Sequence, residues 1–189
     1  MVKSTTSKTK ARNKVKVSTC SLAGCFGCHM SLLDIDERLL DLIEKVEFGR
    51  SPINDIKVPG ACDIGLVEGG LCNEDNVRTL NEFRENCSIL VAVGACAING
   101  GVPALRNEID LKDCLETSYL TGVGIVDAQI PNDSELPLLL DKVHPIFDAV
   151  KIDYVLPGCP PPAEAFLELV TAVIEGREPN LGYQLRRFD

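Results

Sequence analysis

Four times along these 189 residues, a short run of aliphatic and β-branched side chains stops at a loop that contains glycine. The runs are Val15 to Cys20, Ile64 to Val67, Ile89 to Val93 and Ile152 to Leu156. The loops behind them carry Gly24-Cys25-Phe26-Gly27-Cys28, Glu68-Gly69-Gly70, Gly94-Ala95-Cys96-Ala97 and Pro157-Gly158-Cys159-Pro160-Pro161. Short, largely apolar runs of this kind suit strands buried in a sheet. Helical periodicities lie between them. From about Ser31 to Val46, the residues Leu32, Ile35, Leu39, Leu42, Ile43 and Val46 fall on one stripe, with most of the acidic residues off it. Asn73 is placed to cap a helix that has Glu74 and Asp75 in its first turn. A last helix spans about Pro162 to Glu175, with Phe166, Leu169, Val170 and Val173 at helical spacing, and Gly176 ends it. The stretch between the third and fourth runs reads as turns and short helices.

Strands alternating with helices predict an α/β fold, a doubly wound and mostly parallel sheet of flavodoxin-like type. One domain of residues 15 to 189 is expected behind a flexible basic tail, residues 1 to 14. A chain of this size buries roughly 70% of its unfolded surface and needs no disulfide staples. Nine cysteines, an odd number, also fit a secreted disulfide framework poorly and metal-bound thiolates in a reducing cytoplasm better. Residues 1 to 16 carry six basic side chains and no acidic one, leaving 13 basic against 28 acidic in the remainder. That remainder should repel nucleic acid and anionic membrane. The basic start lacks the apolar core of an export signal and the paired arginines of a twin-arginine leader. No apolar run reaches the roughly 18 residues of a membrane span.

Right-handed crossovers put the carboxyl ends of parallel strands on one side, so the loops after the first, third and late strands should meet there. Those loops hold Cys25, Cys28, Cys96 and Cys159. A lone C-x-x-C could be a dithiol redox pair, but such a catalyst has no use for two further cysteines at the same edge. Structural zinc usually draws on two local cysteine pairs, and only one is present, so a cubane iron-sulfur cluster fits better. In the last loop the prolines stiffen the chain, and Gly158 leaves room for a sulfide. The N–H groups of Gly158 and Cys159 are placed to raise the cluster's potential. Cys62, Cys87 and Cys114 read as small buried hydrophobes, and Cys20 as buried beside the site. Cys72, a few residues past the second strand, stays open as a fifth candidate ligand. His29, next to Cys28, is a candidate to support the ligands from behind, and His144 reads as a packing or surface residue. Glu68 at its strand end is a candidate for the same support or for a subunit interface. Phe26 and Phe166 would shield the site from water.

In this order, Gly24-Cys25-Phe26-Gly27-Cys28-His29-Met30-Ser31, Glu68-Gly69, Gly94-Ala95-Cys96-Ala97 and Pro157-Gly158-Cys159-Pro160 resemble the motifs of nickel-iron hydrogenase small subunits. The cytoplasmic, bidirectional NAD-reducing group matches best, from about Lys14 onward. The resemblance implies one proximal 4Fe-4S cluster on Cys25, Cys28, Cys96 and Cys159, and no ligand role for Cys72. It implies an electron relay with no catalytic residue of its own. Its partners would be a large subunit with the nickel-iron centre and an iron-sulfur diaphorase subunit, with further clusters and FMN in the partners. Uptake-type small subunits continue into a second cysteine-rich domain, whereas no cysteine follows Cys159. The related subunit of NADH:quinone oxidoreductase typically has adjacent cysteines in its first motif, unlike Cys25-x-x-Cys28. Two alternatives remain: a hydrogenase with another acceptor (deazaflavin, ferredoxin or a membrane module), and a structural metal-binding scaffold. Flavin bound to this chain is disfavoured because the loop Ser21 to Cys28 is poor in hydroxyl residues.

Overall fold

The computed structural model describes residues 14–58 and 60–188. Apart from Lys14, the expected basic tail lies outside the described residues. Five strands form one parallel sheet in the order β2-β1-β3-β5-β7: β1 Val15–Ser21, β2 Val46–Phe48, β3 Cys62–Glu68, β5 Cys87–Val93 and β7 Tyr154–Leu156. This is the expected doubly wound order. Along β5 the pleat divides the side chains: Ile89, Val91 and Val93 join one core and Leu90 and Ala92 the other. Helices α1 (Gly27–Leu33), α2 (Arg38–Lys45) and α6 (Ala163–Glu175) cover the first face through Leu32, Ile35, Leu42, Phe166, Leu169 and Val170. Helices α3 (Glu74–Asn86) and α4 (Gly94–Asn99) cover the second through Leu80, Phe83 and Ala97. Phe83 and Phe166 are fully buried, one in each core, and each burial stabilises by about 2–3 kcal/mol.

The expected caps form. Asn73 accepts a hydrogen bond from the N–H of Asn76, and Gly176 closes α6 in the left-handed conformation. The single helix expected over Ser31 to Val46 is instead two. Asp36 takes a positive φ of 57°, the chain turns between α1 and α2, and Val46 begins β2. The apolar stripe survives because Ile35 is buried at the turn itself, although Ile43 faces solvent. The irregular stretch contains a strand that was not expected, β6 (Leu139–His144), which pairs antiparallel with β4 (Leu71–Asn73). Asn107 fastens β6 from the side: its Oδ1 accepts Val143 N–H at 2.7 Å and its Nδ2 donates to Val143 O at 2.8 Å. A short helix α5 (Leu111–Glu116) follows Asn107 in sequence.

Two cysteines depart from expectation. Cys62 and Cys87 stand opposite each other at the starts of β3 and β5 and form a disulfide, instead of packing as separate hydrophobes. Among the described residues, no helix is long and apolar enough to cross a membrane.

Candidate metal centre at the carboxyl ends of the strands

Register brings the site together. Ser21 pairs with Glu68, Glu68 with Val93 and Val93 with Leu156, so the last residues of β1, β3, β5 and β7 lie in one row across the sheet. The chain therefore leaves all four strands at the same rim, and each departing loop carries one of the sequence motifs. Neighbouring loops are tied by backbone before any ligand is considered. Leu22 N–H donates to Glu68 O, Ala23 and Gly70 exchange two hydrogen bonds of 3.0 and 2.8 Å, and Ala95 N–H donates to Gly158 O at 2.9 Å.

All four predicted cysteines gather here. Cys25 and Cys159 are exposed at the rim, while Cys28 and Cys96 are half-buried. Gly94 sits so close to Cys28 that a Cβ there would strike its sulfur, and the φ of 78° disfavours any side chain as well. The thiols also affect one another electrostatically. Burial pushes Cys28 well above the usual thiol range, helped by the charge and hydrogen bond of Glu68 and then by Cys96 and Cys25. Burial raises Cys96 too; the Val102 backbone bond opposes this, and Cys159 and Cys25 add to it. Among the described residues, no three His, Cys, Asp or Glu side chains close around a single metal ion.

The backbone itself needs glycine at position 158. It has a φ of 148°, and a Cβ there would collide with the backbone of Pro161; its carbonyl takes the bond from Ala95. It fixes the turn that presents Cys159. The Cys159–Pro160 peptide is cis.

Behind the thiols runs a buried polar chain of which sequence reasoning found only two members. Glu68 Oε2 accepts the N–H of Cys28 at 3.0 Å, and its Oε1 lies 2.7 Å from His29 Nδ1. His29 Nε2 lies 2.9 Å from Thr19 Oγ1, which lies 2.7 Å from Ser51 Oγ. Glu68 and His29 are each 4% exposed, so neither is free to face a partner. Burial alone would raise the Glu68 carboxyl, but the His29 hydrogen bond and charge, then Ser21 and Cys28, hold it below the usual carboxylate value. Phe26, in the left-handed conformation, stacks flat on the His29 ring at 4.6 Å. Thr19 and Ser51 carried no motif; for Thr19 the one available hint was a hydroxyl within a buried strand, and Ser51, in the loop after β2, offered none.

Cys20, one residue before the strand-end row, is near enough to Glu68 to feel its charge, as expected of a cysteine buried beside the site. Cys72 sits on β4 with its sulfur 3.3 Å from Asn76 Oδ1, near Arg106. Cys20 is buried, and that burial raises its thiol strongly. His144 is at the surface, bonded to Asp148.

Residues 25–173, from the first of these cysteines to near the end of α6, match the family described as NADH ubiquinone oxidoreductase, 20 Kd subunit. The chain belongs to this 20 kDa subunit family. Among its relatives, the HoxS delta subunit of the NAD-reducing hydrogenase of Cupriavidus necator is 48% identical over 180 residues, covering 93% of this chain and 86% of that one. A component of the F420-non-reducing hydrogenase of Methanococcus voltae is 38% identical over 170 residues, a match that covers 89% of this chain and 59% of the relative. A crystal structure of an NAD+-reducing [NiFe]-hydrogenase in the H2-reduced state contains a chain that superposes with a TM-score of 0.92 at 52% identity, covering 94% of this chain and all of that one. A [NiFeSe]-hydrogenase chain of Dm. baculatum, at 19% identity and a TM-score of 0.56, shares the fold. The resemblance read from the cysteine motifs is thereby borne out.

Proposed function

We propose that this chain is the small, electron-relaying subunit of a cytoplasmic NAD-reducing nickel-iron hydrogenase and that Cys25, Cys28, Cys96 and Cys159 hold one 4Fe-4S cluster. The in-row strand ends carry the reading, because they bring four thiols from three distant loops to one rim. A cluster bound there supplies one-electron carriage. The chain's own residues supply the rest. The half-buried Cys28 and Cys96 would hold the cluster on its protein side and the exposed Cys25 and Cys159 on its outer side, where a partner subunit would cover them. Gly94 and Gly158 keep the backbone near the sulfurs, and Phe166 lines the floor beside Cys28, His29 and Glu68. One C-x-x-C pair joined by two single cysteines from remote loops suits a cofactor that brings its own sulfide better than a structural zinc ion, which usually draws on two local pairs. Hydrogen would be split in a large subunit, and an iron-sulfur and flavin module would pass electrons to NAD.

The identity to the HoxS delta subunit supports NAD as the final acceptor, and the weaker likeness to the Methanococcus protein keeps another acceptor as the second reading. The intact complex, purified without oxygen, is expected to reduce NAD with hydrogen and to contain iron and labile sulfide. Cys96→Ser should lose one cluster and the relay together, and Cys72→Ser should keep both. Hydrogen-driven reduction of a deazaflavin or a ferredoxin but not of NAD would overturn the acceptor, and a Cys96→Ser complex with undiminished iron would overturn the ligand set.

A further inference from the structure

The hydrogen bond from Cys28 N–H to Glu68 Oε2 has an electrostatic consequence. Backbone N–H groups around thiolate ligands usually point at sulfur, where they stabilise the reduced, more negative state of a cluster and raise its potential. Here the N–H of a ligand residue is taken by a carboxylate. That carboxylate is buried, and its other oxygen is held by His29, itself anchored through Thr19 to Ser51. The chain Ser51, Thr19, His29 and Glu68 thus fixes an acidic side chain directly behind one cluster ligand. The Cys28 N–H and His29 hold one oxygen of the carboxylate each, so the group keeps its place without solvent.

Building on the cluster reading above, we propose that Glu68 is a positioning residue that also tunes the relay: it withholds the Cys28 N–H from the cluster and sets a carboxylate beside it, making its reduction potential more negative. An added electron meets the field of that carboxylate in a medium that screens charge far less than water does. A low potential favours onward delivery to an acceptor as reducing as NADH over retention on the relay. His29 opposes part of the effect by bonding the carboxylate, and the stacked Phe26 ring covers one face of the imidazole.

In the anaerobically purified complex, the paramagnetic signal of this cluster is the one missing from Cys96→Ser, and its midpoint can be followed by redox titration. Glu68→Gln keeps an oxygen to accept the Cys28 N–H while removing the charge. It should retain wild-type iron and sulfide with a midpoint shifted to more positive potential. His29→Gln keeps the carboxylate and should not shift the midpoint upward. An unmoved midpoint in Glu68→Gln, or equal upward shifts in both variants, would overturn the proposal. Loss of iron from Glu68→Gln would also overturn it, since the charge would then serve assembly and not potential. Absence of any Cys96-dependent signal from the wild-type complex would instead remove the cluster reading on which the proposal rests.

Discussion

Thr19→Val tests the buried chain at its centre. The substitution nearly preserves volume and shape in a side chain that is 1% exposed, so packing changes little. The hydroxyl it removes is shared by His29 Nε2 at 2.9 Å and Ser51 Oγ at 2.7 Å, and neither has water to turn to. Each buried polar group left without a partner costs about 1–3 kcal/mol. Ser51 Oγ keeps the N–H of Ile53 at 3.3 Å, so its share lies at the low end, and His29 keeps Glu68. A total of about 2–4 kcal/mol follows, which in a chain of this size lowers the melting temperature by roughly 4–16 °C. Ser51→Ala removes the other end of the same bond, so the double variant should cost less than the sum of the two single ones, by about 0.5–1.5 kcal/mol. Chemical denaturation followed by circular dichroism measures all three variants. Strict additivity, or a Thr19→Val cost below about 0.5 kcal/mol, would show that the hydroxyls do not bind the chain together and would refute the reasoning.

Gly158→Ala forces a side chain into both a positive φ and the Pro161 backbone; strain of this kind costs about 1–3 kcal/mol, and iron per complex should fall while the far-UV spectrum is kept. Asp153 binds β7 to β5 through the N–H of Leu90 and to α3 through Arg84. Burial raises its carboxyl, but the Arg84 and Leu90 bonds outweigh this and hold it below its ordinary value of 3.8. Its stabilisation is therefore complete above that value and is lost as pH falls through the lower folded value, so Asp153→Asn should flatten the acid limb of a stability-against-pH curve. Replacing both Cys62 and Cys87 with serine opens a loop with a sequence separation of 25, and the chain-entropy relation puts the loss at about 3–4 kcal/mol. Alkylation followed by mass spectrometry should find these two cysteines protected until a reductant is added.

The parts of the fold legible in the sequence are those with a local cause. Strands β1, β3 and β5 are buried along most of their length, α3 and α6 have a cap or a stop beside a clear periodicity, and all were readable to within a few residues. The break between α1 and α2 was not, because its apolar stripe runs through Ile35 unbroken and only the backbone at Asp36 reverses. Strand β6 buries only Val143 and so has no alternation to read. The Cys62–Cys87 pair depends on register between two strands, which no spacing along the chain discloses. Motif reading found the four rim thiols, whereas Thr19 and Ser51 are ordinary hydroxyl residues whose meeting is a tertiary event.

The backbone bonds between neighbouring rim loops bear on the order in which such a protein is made. Gathering four sulfurs from an open chain would cost loop-closure entropy at the moment of loading, as in small metal-dependent domains that fold only around their ion. Here the Ala23 and Gly70 pair and the bond from Ala95 to Gly158 meet that cost during folding, with the sheet behind them. On the cluster reading proposed above, the polypeptide would be finished first and charged afterwards, and a molecule that lost its cluster would keep the mould into which a second delivery could be made.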